Sequence, residues 1–99
     1  MSALRDAARG QECTVRVPGY CNFTPETVVL AHFRMAGICG AALKPIDLIG
    51  AHACSCCHDV IDGRVRTAFT HEQIRLMHLE GMVRTIDSLN RRGLLGKRK

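Results

Sequence analysis

Apolar positions recur along the chain in more than one rhythm, and each rhythm predicts a different element. Leu76, Leu79, Val83, Ile86 and Leu89 fall at helical spacing, which predicts an amphipathic helix over about 70–93 with that stripe turned to the core. Thr70 followed by Gln73 forms a capping box at its start, and Gly93 follows its end. Val28 to Phe33 is β-branched and apolar, predicting a buried strand that ends in Ala31-His32-Phe33-Arg34. Cys13 to Cys21 alternates apolar and polar residues and turns at Pro18-Gly19, the pattern of a short hairpin-like knuckle. Ser2 to Arg9 predicts a short helix with Ser2 as N-cap and Gly10 as C-cap. Ile49 to Ile61 reads better as helix than strand, closed by Gly63, although its small residues and cysteines make propensity a weak guide. A Gly- and Ala-rich loop, Gly37 to Leu43, closes on Lys44-Pro45. No repeat or linker interrupts the chain, so one domain over 1–99 is expected: knuckle about 10–27, core about 28–63, helix about 70–93 and basic tail 94–99.

Composition changes this picture at one point. A domain of 99 residues buries a modest share of its surface, and three Phe, one Tyr and no Trp leave it few large apolar side chains. Something besides the core must help to hold it, and the six cysteines are the natural candidates. The N-terminus has no apolar signal core and no uncharged apolar run approaches the ~18 residues of a membrane span, so the chain reads as soluble and cytoplasmic, with no membrane partner. Thiols stay reduced in that compartment, and paired cysteines then argue for a metal. Cys54-x2-Cys57 places two thiolates on one turn of backbone, and Cys13 and Cys21 bring two more, together a plausible structural zinc site of four sulfurs. Cys56 could stand in for Cys57, and Cys13 and Cys21 could instead be buried small hydrophobes. Cys39 has no partner at a useful spacing. A net charge of +5 points to an anionic partner, for which nucleic acid is the obvious candidate.

The order Ala31-His32-Phe33-Arg34, Gly37-x-Cys39-Gly40, Lys44-Pro45-x-Asp47-Leu48 and Ala53-Cys54-Ser55-x-Cys57-His58-x-x-x-Asp62 resembles the short phage and prophage-encoded HNH nucleases, upstream cysteine knuckle included. The resemblance implies an α+β fold: a small ββα-metal (HNH-like) domain with an N-terminal Cys zinc knuckle and a C-terminal helix. It implies metal-dependent hydrolysis of DNA phosphodiester bonds, with His32 as general base and His58 as ligand of a catalytic ion. Asp62, four residues on, shares the helical face that a second ligand needs. Asp47 takes the place of the family's middle Asn, whose implied role is to hold the loop and orient the base. The chemistry is consistent with these residue types: a cation such as Mg2+, Mn2+, Ni2+ or Zn2+ neutralises the phosphate, and histidine is suited to activating water near neutral pH. Ala31 departs from the pattern, standing where many HNH enzymes carry a further ligand.

Other roles compete for these residues. His32 could be a satisfied strand histidine and Asp47 a helix N-cap. His52 could be an alternative ligand, although a solvated helix position suits it better, and His71 and His78 read as surface residues of the last helix. Arg34, Lys44, Arg64 and Arg66 flank the motif and could bind DNA phosphates. Arg91, Arg92, Lys97, Arg98 and Lys99 form a denser cluster suited to non-specific DNA affinity. The rival functions are a non-catalytic zinc-stabilised DNA-binding module and an adaptor that docks through its apolar helix. Oligomeric state is left open.

Overall fold

A computed structural model of the protein describes residues 3–35, 37 and 46–95. The expectations for Ser2, Cys39, Lys44, the segment 38–45 and the tail 96–99 lie outside the described residues. Among the described residues, two strands and three α-helices follow in the order α1 (Ala3–Asp6), β1 (Val29–His32), β2 (Gly50–Ala53), α2 (Ser55–Ile61) and α3 (His71–Arg91), a small α+β arrangement.

β1 lies within the predicted apolar run and pairs antiparallel with β2, with His32 opposite Gly50 and Val29 opposite Ala53. Gly50 is needed there, because a Cβ would meet Leu30 Cδ1 at 3.0 Å and the Ala31 carbonyl at 3.1 Å. The helix expected from Ile49 onward is corrected: residues 50–53 form β2, and helix begins only at Ser55. All four residues of β2 are buried. A strand covered on both faces shows no alternation, so Gly-Ala-His-Ala carries no period-two signal. Cys54 is the N-cap of α2, its sulfur accepting from the Cys57 amide as a capping hydroxyl would.

Between Cys13 and Cys21 the chain turns without pairing as a hairpin; Thr14 N–H donates to the His52 carbonyl at 2.7 Å, and Tyr20 and Cys21 both close on the Val17 carbonyl. Its side chains Val15 and Val17 join Ala8, Val28, Ala31, Ala51, Ala53 and Val60 in one core of mostly small residues.

The capping box at Thr70 and Gln73 forms as predicted. The buried face of α3 follows the predicted stripe only at its end, where Leu89 is buried and Ile86 half-buried; Leu76, Leu79 and Val83 are exposed, and His78, Gly81 and Thr85 are buried in their place. The reason is close approach. At Gly81 a Cβ would sit 2.9 Å from Val15 Cγ2 and 3.1 Å from the Val15 backbone. One turn on, the Thr85 hydroxyl lies 2.9 Å from Thr14 Oγ1 and accepts from the His52 amide at 2.9 Å. Small and hydrogen-bonded residues let the helix backbone reach the knuckle, and a hydropathy pattern gives them no weight. His52, expected in solvent, is 1% exposed for the same reason.

Gly81→Ala forces a methyl against main chain that has nowhere to go. A loss of about 1–3 kcal/mol is expected, read as a lower denaturant midpoint; an unchanged midpoint contradicts the close packing of α3 on the knuckle.

Candidate metal centre and adjoining cleft

Cys13, Cys21, Cys54 and Cys57 converge although 44 residues separate the first from the last, and their sulfurs all lie within 4.8 Å of one another. Three of the four residues are buried and Cys21 is half-buried. Backbone amides point at the sulfurs: Val17 N–H donates to Cys57 Sγ at 3.4 Å, Asn22 N–H to Cys54 Sγ at 3.5 Å, and Cys57 N–H to Cys54 Sγ at 3.4 Å. Sulfur is a weak acceptor as a thiol and a much better one as a thiolate, so this donor set suits four metal-bound thiolates. Hydrogen bonds within the cluster make the thiols unequal. Cys13 is lowered to about 4 chiefly because the Cys57 thiol donates to it. Cys57 is raised by that same hydrogen bond and by burial. Burial and the Cys13 charge push Cys21 up to about 11. A divalent ion would instead deprotonate them together, and a four-sulfur tetrahedral set is what zinc favours. Cys56 is exposed and outside the cluster, which leaves Cys57 as the fourth donor.

Around His32 a second constellation forms. His32 ends β1, and its Nε2–H donates to Asp47 Oδ1 at 2.7 Å; the carboxylate must accept, so Nδ1 is the ring nitrogen able to take up a proton. Arg5 of α1 reaches the other oxygen of Asp47 at 3.5 Å, which ties the loop carboxylate to the N-terminal helix. His58 Nε2 and Asp62 Oδ2 lie 3.5 Å apart on successive turns of α2. Among the described residues no third His, Cys, Asp or Glu completes a metal-binding group with them. Ala31, beside His32 on β1, is 2% exposed, and its carbonyl accepts from His78 Nε2 at 2.9 Å.

A cleft of about 220 Å3 brings His32, Arg34 and Asp62 together with His71, Arg75 and His78. The last three were not assigned to the site from the sequence. Their i, i+4, i+7 spacing puts them on one face of α3 and was the available signal. Arg75 stacks on Phe33 at 4.5 Å from the ring centroid and donates to the Arg34 carbonyl at 3.1 Å. His78, expected at the surface, is 5% exposed and packs edge-on against Phe33. Burial pushes its pKa below the ordinary histidine value. The other basic candidates are placed differently. Arg64 pairs with Asp59 at 3.1 Å and Asp62 at 3.4 Å, which engages its guanidinium with acids, and Arg66 is exposed outside the cleft.

Two strands, packed helices and four clustered cysteines that can hold a metal ion define a small metal-site domain of mixed α+β class. The chain belongs to the family described as "Putative nuclease YbcO", whose model matches residues 2–94. It is 54% identical over 88 residues to "Putative nuclease YbcO" of Escherichia coli (strain K12), covering 86% of this chain and 88% of that protein. A protein of Enterobacteria phage 82 named "Putative nuclease ybcO" matches to the same extent. A solved structure described as a putative bacteriophage protein from Escherichia coli str. K-12 substr. MG1655 has a TM-score of 0.76 and 46% identity, covering 91% of this chain and 99% of that one. Among the described residues no helix is long and apolar enough to cross a membrane.

Two outcomes follow from the geometry. Purified protein should carry about one tightly bound metal ion per chain; Cys56→Ser should keep it and Cys57→Ser should lose it along with the fold, so equal metal content in the two variants contradicts the assignment of the four sulfurs. His78 should titrate below a free histidine, whose pKa is ~6.5, because burial disfavours its charged form. Because its folded pKa is depressed, the stability it lends is complete above about 6.5 and is lost as pH falls from there through the lowered value. A His78 that titrates by NMR at or above the free value contradicts its burial.

Proposed function

We propose that this chain is a metal-dependent HNH-type endonuclease that hydrolyses DNA phosphodiester bonds in the cytoplasm of a bacterial host, its four cysteines holding a structural zinc. The names of its relatives agree with nucleic acid as substrate. The observation that carries the reading is the His32–Asp47 hydrogen bond at the edge of a cleft shared with Asp62 and two arginines. The order of strand, paired strand and helix, with His32 on the first and the His58–Asp62 pair at the last, supports a ββα-metal reading.

Asp47 fixes the ring of His32 and leaves Nδ1 to accept a proton from water. The water oxygen attacks phosphorus, the bond to the leaving sugar oxygen breaks, and that oxygen is protonated by solvent. Arg34 and Arg75 border the cleft where the non-bridging phosphate oxygens would lie, and a guanidinium fork suits them. Arg5 restrains Asp47 from the side away from His32. His58 and Asp62 would hold a divalent cation, which would supply charge neutralisation at the phosphate and at the leaving oxygen. Two protein ligands are few, and magnesium or manganese tolerates that best because it keeps several waters.

A second reading has one observation in its favour. With Ala31 buried and no third ligand among the described residues, the same cleft could bind phosphate without cutting, as a zinc-stabilised DNA-binding module.

Plasmid nicking by zinc-matched preparations, across magnesium, manganese, nickel and zinc, separates the two. His32→Ala should keep metal content, melting temperature and DNA affinity while lowering cleavage by roughly 10²–10⁴. Arg5→Ala, which leaves the His32–Asp47 pair intact but less restrained, should lower cleavage far less. If wild type nicks with none of these ions, or His32→Ala nicks as fast as wild type, the binding module takes the place of the nuclease.

A further inference from the structure

Away from the His32 cleft lies a polar cavity of about 540 Å3, between the knuckle and the C-terminal half of α3; the two share no lining residue. Arg16, Arg84 and Arg91 line it, with His52, and with Glu12 and Asp87 as the opposing charges. Two of the guanidinium groups are held in place by knuckle carbonyls. Arg84 donates to Thr14 O at 2.7 Å and Arg16 Nε to Cys13 O at 3.1 Å. Held by one edge, each keeps further N–H groups for another acceptor. Arg84 also lies 3.8 Å from Glu80, and Arg91 pairs with Asp87. Arg16 has no carboxylate within 4 Å among the described residues.

Two further observations single out this place. The Nε2 of His52 is buried without a hydrogen-bond partner, alone in that respect among the described side chains. An orphaned polar atom in a core costs stability and asks for a missing partner. Arg16 also adopts a left-handed backbone, φ 56°, a conformation that costs a non-glycine residue stability and persists where the surroundings impose it.

We propose that this cavity is a second anion site that binds a phosphate group. Arg16 and Arg84 would supply the fork of N–H donors, and His52 Nε2 would reach the ligand directly or through a bound water. The nucleic-acid backbone is the favoured source of that phosphate. Arg16 also borders a cavity shared with Phe23, and the Phe23 ring is 75% exposed, a platform on which any base can stack. Phosphate binding here does not depend on cleavage at His32, and its test reads binding alone.

The test uses the zinc-loaded full chain, isotopically labelled, titrated with inorganic phosphate and separately with a short duplex of mixed sequence. Phosphate should shift the resonances of Thr14, Arg16, His52 and Arg84 saturably, whereas chloride at equal ionic strength should not. The duplex should shift the same set, and a single strand of the same sequence should shift Phe23 as well. Arg16→Gly removes the guanidinium and relieves the left-handed backbone. It should melt at or above the wild-type temperature, yet bind duplex about fivefold more weakly with a salt slope smaller by about one. No phosphate shift at these residues, or a folded Arg16→Gly with wild-type affinity and slope, overturns the proposal. Phosphate shifts with no duplex shifts assign the pocket to a free phosphate compound instead of the DNA backbone.

Discussion

Four sulfurs drawn within 4.8 Å of one another impose a constraint that the rest of the chain must satisfy. Cys13 and Cys21 bracket the knuckle, Cys54 ends β2 and caps α2, and Cys57 lies in the first turn of that helix. Fixing those sulfurs therefore fixes where β2 stops and where α2 begins. His58 follows Cys57 directly, and Asp62 lies one turn beyond, so the spacing that pairs them is inherited from the cluster. The core alone is a poor substitute for such a staple, because Ala8, Ala31, Ala51 and Ala53 contribute little apolar area each.

A second lock holds α3 to this unit, and it is polar where a hydropathy pattern expects leucine. Thr85 bridges Thr14 of the knuckle and His52 of β2, while Gly81 gives Val15 room. This contact sets the rotation of α3. It turns Ile74, Arg75 and His78 toward the His32 cleft and Arg84 and Arg91 toward the second cavity. The helix thus orders both polar surfaces, and the apolar residues Leu76, Leu79 and Val83 are left at the solvent side as a consequence.

Legibility in the sequence followed the physics of each element. The capped start of α3, the strand ending at His32, and the four cysteines were readable because a capping box, an apolar run and short ligand spacings are local signals. The proximity of Asp47 to His32 was readable only through a family pattern, since fifteen residues separate them. β2 was not readable, because four buried residues including two alanines and a glycine show neither alternation nor bulk. His52 and His78 were read as solvated because burial of a histidine depends on neighbours contributed by other elements. Arg5 was invisible as part of the site, since its link to Asp47 exists only once α1 is docked.

The whole arrangement depends on the four sulfurs acting as one ligand set. X-ray absorption at the zinc edge of the purified full chain measures this directly. The structure calls for a first shell of four sulfurs at about 2.3 Å, unchanged in His32→Ala and His58→Ala. A shell containing nitrogen or oxygen, or one with fewer than four sulfurs, would contradict it and would dissolve the link between the cysteine cluster and the placement of His58 and Asp62.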